Sequence, residues 1–335
     1  MRISVIGAGI AGLTVAYEFV RAGCTVDIVE QRAGAGLGCS SYAGGMLAPW
    51  CEMENSGPLV AELGLEALAY WQEIVPVATR QGSLLVAPAR DLPELARFGR
   101  RTSHFETLDA GAIAALEPDL EGRFSRALYF KDEAHLDPQE AVAALERLLR
   151  DSGLAAFHFG TPDTARIDAD WTLDCRGFSA RDSLPDLRGV KGEMLVLQTR
   201  DVHFSRPVQL LHPRTPVYIV PRAEGRFMIG ATMVENEESG RVTARGMLDL
   251  LGAAYTVHPA FGEAEIVEMG CDLRPTFPDN LPRLRQEGRR LFINGLFRHG
   301  FLLAPALAIR ARKMILDGAL FPEVMDANQH QRQSA

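Results

Sequence analysis

Residues 1–30 read MRISVIGAGIAGLTVAYEFVRAGCTVDIVE, and this stretch decides the fold. Arg2 to Ile6 is an apolar run of strand length. Gly7-Ala8-Gly9-Ile10-Ala11-Gly12 follows and fits the GxGxxG pattern. Ile10 to Arg21 has helical spacing, with Leu13, Ala16, Phe19 and Val20 on one face, and Gly23 stops it. Thr25 to Glu30 is the next strand. Strand, glycine turn, helix and strand within about 30 residues open a doubly wound α/β domain.

The glycines have separate tasks. Gly7 permits a tight turn, Gly9 lets the backbone approach a pyrophosphate, and Gly12 permits close helix–strand packing. The helix N-terminus, with Ala8, Ile10 and Ala11 around it, offers N–H groups and partial positive charge to that anion. The Glu30 carboxylate can accept hydrogen bonds from adenosine ribose hydroxyls, and Gln31 sits beside it. The same acid would repel a ribose 2′-phosphate, which counts against NADP. The motif by itself leaves NAD and FAD open, as well as a glycine-rich turn with no ligand.

Further along, Leu59 to Val75 has helical spacing with Pro76 as a stop, Ser83 to Ala87 reads as a strand, and Asp91 to Arg100 as a helix. Asp137-Pro138-Gln139-Glu140 starts another helix: Asp137 caps, Pro138 suits the first position, and Glu140 can close the box. That helix should run to Arg150 and stop near Gly153. Trp171 to Asp174 is a strand ending in Arg176-Gly177; the stretch from Phe157 to Asp170 is short, Asp-rich and without an assigned role. Gly192 to Thr199, Val217 to Arg222, Arg226 to Gly230 and Ile266 to Leu273 read as strands, with Val242 to Tyr255 as the main helical insertion. They predict an antiparallel sheet beside the α/β core. Leu291 to Asn294 returns to strand, followed by a glycine turn and a helix from about Leu302 to Leu316. The expected division is a discontinuous dinucleotide-binding domain of residues 1–80, 135–188 and 275–335, with a substrate domain of residues 81–134 and 189–274.

Composition narrows the function classes. The chain of 335 residues suggests two domains, and its apolar share of 47% is ordinary for a globular protein. With 43 acidic and 35 basic side chains the net charge is −8, which argues against nucleic acid as partner. Cys24, Cys39, Cys51, Cys175 and Cys271 form no CxxC or Cys/His metal spacing, so five reduced thiols and no metal are expected. No signal peptide is read at the N-terminus. The stretch Leu291 to Ile309 is interrupted by Arg298 and His299, so no membrane span is expected and the protein should be cytoplasmic.

Two further segments favour FAD. CSSYAGGMLAP, residues 39–49, offers Ser40, Ser41, Gly44, Gly45 and Met46, whose small and hydroxyl groups can reach pyrophosphate and flavin; a flexible loop of small residues is the lesser alternative. NGLFRHGFLLAP, residues 294–305, breaks a strand with glycine and starts a helix at about Leu302, just after Gly300 and Phe301. The N-terminus of that helix could face the flavin pyrimidine edge and stabilise negative charge near N1 and C2=O, or the helix could be plain core.

These segments, together with GAGIAGLTVAYEF, DCRGFSARD, RGVKGEM, YIVPRAEGRFMIGATM and LRPTFPDNLP, resemble the FAD-dependent amino-acid oxidase superfamily that includes D-amino-acid oxidase and sarcosine oxidase. Within it the sequence is most similar to the glycine oxidase branch linked to thiamine biosynthesis. The resemblance samples the chain from Gly7 to about Leu307. It implies a Rossmann-like FAD-binding domain joined to an antiparallel-sheet substrate domain. It also implies that Arg274 grips a substrate carboxylate, that Tyr218 shares it, and that Met233 lines the small pocket. Arg298 would be a second arginine near the site. Met46, Ala48 and Cys51 would lie on a loop at the pocket mouth, and Gly44, Gly45, Met46, Gly300, Phe301 and Leu302 would contact flavin. Taken singly, Arg274 also reads as a structural ion pair, Tyr218 as a core aromatic and Met233 as core packing.

The sequence departs from the family in places. Pro216 stands where relatives often have histidine, and Arg176 where many have a small residue. Cys271 lies near the position at which sarcosine oxidases attach flavin, but out of register, so noncovalent FAD is expected. The implied reaction is oxidation of glycine to an imine and glyoxylate, a hydride passing from Cα to flavin and dioxygen going to hydrogen peroxide. The imine could also serve thiazole formation. A sarcosine or D-amino-acid oxidase, or an FAD-dependent amino-acid dehydrogenase, is the alternative within the superfamily. From another class, a nucleotide-binding regulatory protein would share the fold without turnover. Relatives imply a homo-oligomer.

Overall fold

The apolar run after Arg2 forms a strand buried along its length, as a central strand of a parallel sheet covered on both faces must be. A computed structural model describes residues 1–74, 79–162, 167–213, 216–238 and 240–326. In chain order the elements begin with β1 (Arg2–Ile6), α1 (Ile10–Arg21), β2 (Thr25–Glu30), β3 (Met46–Leu47) and α2 (Pro49–Ile74). Next come β4 (Ser83–Val86), α3 (Leu92–Gly99), β5 (Glu106–Asp109), α4 (Ala110–Leu116), β6 (Arg126–Phe130) and β7 (Ala134–His135). They are followed by α5 (Pro138–Asp151), β8 (Ala155–Phe159), β9 (Trp171–Asp174), β10 (Arg188–Gln198), β11 (Val208–Leu210), β12 (Val217–Pro221) and β13 (Arg226–Gly230). The last are α6 (Ala244–Val257), β14 (Glu265–Thr276), β15 (Arg283–Glu287), β16 (Arg290–Asn294) and α7 (Gly300–Asp317).

Two large sheets organise the chain. The first has the order β15-β16-β9-β1-β2-β8 and is parallel except for the β15–β16 hairpin. Its core joins Val5 and Ile28 to Leu13 and Phe19 of α1, Leu63 and Trp71 of α2, Leu145 of α5 and Leu303 and Leu307 of α7. The second has the order β14-β10-β13-β12-β11-β4-β6-β5 and is antiparallel except for the β4–β11 pair. One face packs on α6 through Leu250, Ala254 and Val257, with Phe204, Phe227 and Phe261 against it. β3 and β7 form a small ribbon that brings residues 46–47 beside 134–135.

The opening unit shows why its residues are glycine. Gly7 has φ +99°, and a Cβ there would lie 2.6 Å from the Cys175 carbonyl of the neighbouring strand. A Cβ on Gly12 would strike the Gly7 carbonyl, so α1 can start this close to β1 only without a side chain at 12.

Several boundaries differ from the sequence reading. α2 begins at Pro49, ten residues before the expected Leu59. Gly57, at φ +77°, breaks it and Pro58 restarts it, so the expected helix is its second segment. The expected end at Val75 and Pro76 lies outside the described residues. α7 starts at Gly300 rather than about Leu302. α6 starts two residues later than expected because Thr243 caps it, its Oγ1 accepting from Gly246 N. β8 occupies part of the unassigned stretch at Phe157, pairing parallel with β2, while residues 163–166 of that stretch are outside the description. β5, β6, β11 and β15 were not expected as strands.

Candidate active site

The glycine turn, the end of β2 and the start of α7 surround a cavity of about 290 Å³. Gly7, Gly9, Ile10, Ala11, Glu30, Gln31, Ser40, Gly44, Gly300 and Phe301 all line it. Three other expected cofactor residues stand behind that lining. Ala8 N donates to Glu30 Oε2 at 2.8 Å, Gly12 packs on Gly7, and Ser41 Oγ donates to the Gly38 carbonyl at 2.8 Å. Glu30 Oε1 accepts from Arg32 N at 2.9 Å. Two backbone donors thus fix the carboxylate, and each oxygen keeps a lone pair for a hydroxyl. Ser40 Oγ accepts from Ile10 N at 3.0 Å and brings the 39–42 turn against the N-terminus of α1. Neither α1 nor α7 carries an acid in its first turn, so both positive helix ends remain available to an anion. An anion cradle and a fixed carboxylate on the wall of one cavity suit a dinucleotide.

A second cavity of about 110 Å³ adjoins the first. Gly44, Tyr218, Arg274, Arg298, Gly300 and Phe301 line both. Gly45, Met46, Met233 and Leu302 line the smaller one alone. Arg274 comes from β14, Tyr218 from β12, Met233 from the segment after β13, and Arg298 from the turn before α7. Two glycines give the Tyr218 ring its slot: a Cβ on Gly44 or Gly230 would fall 2.6 or 2.7 Å from Tyr218 Cε2. A third, Gly192, leaves the guanidinium of Arg274 its place. Arg274 Nη1 donates to the Thr232 carbonyl at 2.9 Å, and no acid pairs with Arg274 among the described residues. The structural-ion-pair reading of this arginine is therefore not what the fold contains. Burial pushes the Tyr218 phenol above its ordinary value, while Arg274 and Arg298 pull it the other way. Met233 is 55% exposed at the rim, its Sδ 3.9 Å from Arg298 Nη1, so it is not core packing.

Sequence reasoning missed the charge that faces Arg298. Glu52, in the first turn of α2, pairs with Arg298 Nη2 at 2.9 Å through Oε1 and with His299 Nε2 at 2.9 Å through Oε2. Burial favours the neutral acid, yet Arg298 and His299 hold the Glu52 carboxyl at about 2. Arg222 was missed too. It donates to the Leu136 and Gly44 carbonyls at 2.6 and 2.8 Å and pairs with Asp137, which anchors the Gly44 backbone to the second sheet.

The loop expected at the pocket mouth needs correction. Met46 is in β3, and Ala48 and Cys51 are buried, Cys51 within α2. The early start of α2 at Pro49 is the reason. Met46 and Cys51 still line the smaller cavity; Pro216 does as well. Arg176 pairs with Asp174 and Asp182 at the edge of the larger cavity. Cys271 is buried opposite Glu193 of β10 and lines neither cavity. Among the described residues, no cluster of His, Cys, Asp or Glu could hold a metal, and no helix is long and apolar enough to cross a membrane.

Comparison with known proteins adds family evidence. The family model described as FAD dependent oxidoreductase, DAO, matches residues 2–313. A candidate thiamine biosynthesis oxidoreductase, ThiO, of Rhizobium etli is 53% identical over 324 residues, covering 96% of this chain and 99% of that protein. A glycine oxidase of Bacillus licheniformis is 26% identical over 364 residues, covering 99% of this chain and 97% of that one. The crystal structure of glycine oxidase from Geobacillus kaustophilus superposes with a TM-score of 0.81 at 22% identity, covering 96% of each chain.

Proposed function

The chain belongs to the DAO family of FAD-dependent oxidoreductases, and from that premise we propose that it oxidises glycine, or a similarly small amino acid, to the imine for use in thiamine biosynthesis. One observation carries the choice of substrate. Arg274 and Tyr218 converge on a cavity of about 110 Å³ that shares its wall with the cofactor cavity. An apolar cavity of roughly 150 Å³ holds benzene, and glycine has fewer heavy atoms. The names of the Rhizobium and Bacillus relatives support the same substrate and pathway.

FAD, when bound, supplies the two-electron acceptor. The residues that would hold it are those of the larger cavity: Glu30 at a ribose, the N-terminus of α1 and Ser40 at the pyrophosphate, and Gly44, Gly300 and Phe301 at the ring. Arg274 takes the substrate carboxylate with its fork of donors. Tyr218, a phenol that burial pushes further above its ordinary value, is protonated at neutral pH and can donate to that carboxylate. Together they orient the Cα hydrogen, and orientation is the main protein contribution when the cofactor does the redox chemistry. Glu52, held at about 2, is too weak a base to take a proton from the substrate amine. We propose dioxygen as the acceptor that reoxidises the cofactor, noncovalent FAD, a homo-oligomer, and the domain division 1–80, 135–188 and 275–335 against 81–134 and 189–274. The membership of the strands in two sheets supports that division.

The test is a visible spectrum of the purified protein followed by peroxide and glyoxylate release with glycine, sarcosine and D-alanine. Glycine should give the highest kcat/KM. Arg274→Ala should keep the flavin colour and raise KM steeply, since a carboxylate loses its charged partner. A colourless protein after FAD addition, or unchanged kinetics in that variant, would refute the proposal.

A further inference from the structure

The smaller cavity contains more charge than substrate binding requires. Arg274 and Arg298 each bring a permanent positive charge, and Glu52 brings a permanent negative one. The three do not stand in equal relation. Glu52 accepts from Arg298 on one oxygen and meets His299 on the other, both at 2.9 Å. Arg274, by contrast, has only the Thr232 carbonyl among the described residues. The pair Glu52–Arg298 is largely withdrawn from water, with side-chain exposures of 13% and 25%. At such depth a charge is weakly screened, and a second anion brought alongside Glu52 would be repelled.

From this arrangement we infer that Glu52 is a specificity-determining residue: it occupies Arg298, leaves Arg274 as the one cavity guanidinium without an acid partner among the described residues, and so restricts the site to substrates with one carboxylate. The inference rests on the amino-acid reading of the site above. Without Glu52, Arg298 would be a second free guanidinium beside the first, and the cavity would suit a dicarboxylate. Position also favours this role. Glu52 is in the first turn of α2, whose backbone is held by the buried Glu133 through Cys51 N at 2.8 Å, and its carboxylate is held by Arg298 and His299.

The experiment compares glycine with iminodiacetate, which is glycine carrying a second carboxymethyl group on nitrogen. In Glu52→Gln the ratio of kcat/KM for iminodiacetate to that for glycine should rise at least about tenfold over the parent. In Glu52→Asp, which keeps the charge, it should stay near the parent value. In the double variant Glu52→Gln with Arg298→Leu, the net charge returns to that of the parent and the ratio should return with it. A folded, FAD-loaded Glu52→Gln with an unchanged ratio would overturn the inference. So would an equal rise in Glu52→Asp or in the double variant, since that would make size rather than charge the cause.

A second arm needs neither turnover nor a variant. Acetate and malonate are titrated into the FAD-loaded parent, with binding read by the change in flavin absorbance and by thermal shift. Malonate should bind no more tightly than acetate; tighter malonate binding would overturn the inference even if Glu52→Gln fails to fold. A parent that binds these anions as expected but does not oxidise glycine would sink the functional proposal and leave the role of Glu52 standing.

Discussion

Gly192→Ala tests the carboxylate clamp without touching it. Gly192 lies in β10, opposite Asp272 and two residues along from the partner of Arg274. A Cβ at 192 would fall 2.5 Å from Arg274 Nη1 and closer still to Cζ and Nη2. Ordinary contact is roughly 3.5 Å, so the guanidinium must retreat by about 1 Å. The strand backbone can accept alanine, because Gly192 is not in the left-handed region. The displaced atoms are the far end of a flexible side chain, so stability should change by less than about 1 kcal/mol. Function should respond differently. A misplacement of about 1 Å in a positioning group costs on the order of 10²-fold, and the retreat also strains the bond to Thr232. We expect kcat/KM for glycine to fall about 100-fold, with flavin content and Tm close to the parent. Steady-state kinetics, visible absorbance and a thermal melt measure all three. A kcat/KM within about threefold of the parent in an FAD-loaded variant would refute the reasoning. Loss of flavin with kinetics otherwise intact would also refute it, since the guanidinium would not be what had moved.

Other changes have equally definite outcomes. Gly44→Ala drives a methyl into the rigid Tyr218 ring, so it should destabilise by about 1–3 kcal/mol and impair glycine turnover; an unchanged melt and unchanged kinetics would argue against the slot. Glu30→Ala strands the N–H groups of Ala8 and Arg32 and removes the proposed ribose contact, so FAD affinity should drop at least about tenfold by fluorescence titration. Retained affinity would remove Glu30 from the cofactor site. Glu133 is fully buried, and burial pushes its carboxyl up to about 8 from an ordinary value near 4.5. Between those values the folded state holds a proton that the unfolded chain has released, so stability falls as pH rises through that window. Glu133→Gln abolishes this dependence; measured by urea unfolding, its stability relative to the parent should be higher at about pH 8 than at about pH 5. A difference that is flat with pH would mean Glu133 is charged throughout.

The local signals in the sequence were strong where one short stretch carried a whole device. The β1–α1–β2 unit was legible because the glycine spacing and two hydrophobic periods agree within residues 1–30. β9, β12 and β13 were legible for the same reason: apolar runs bounded by turn residues. β5 and β15 were not, because edge strands of this kind are short and polar, as Glu106–Asp109 and Arg283–Glu287 are. The early start of α2 was hidden by Gly57-Pro58, which resembles a helix beginning while a shorter helical segment precedes it. Arg274, Tyr218, Arg298 and Met233 came from resemblance, and the fold brings them to one cavity. Glu52 gave no signal at all. It sits in a run, CEMENSG, to which the sequence reading gives no element, and its partner Arg298 is 246 positions away. Arg222 was invisible for the same reason, as its acceptors at Leu136 and Gly44 are 86 and 178 positions away.

The order of strands in the first sheet has a consequence for how the protein is made. β1 and β2 are made before the rest of their sheet: β9, which pairs with β1, comes from residues 171–174, β16, which pairs with β9, from residues 290–294, and α7, which packs on α1, after them. Domains generally fold as units during synthesis, and this unit is incomplete until α7 has emerged. The opening glycine turn must therefore wait, with its apolar neighbours uncovered, while residues 31–299 are translated. Cofactor capture is then a late event, and a ribosome stalled before α7 would release a chain that has its phosphate-binding loop but no site to close around it.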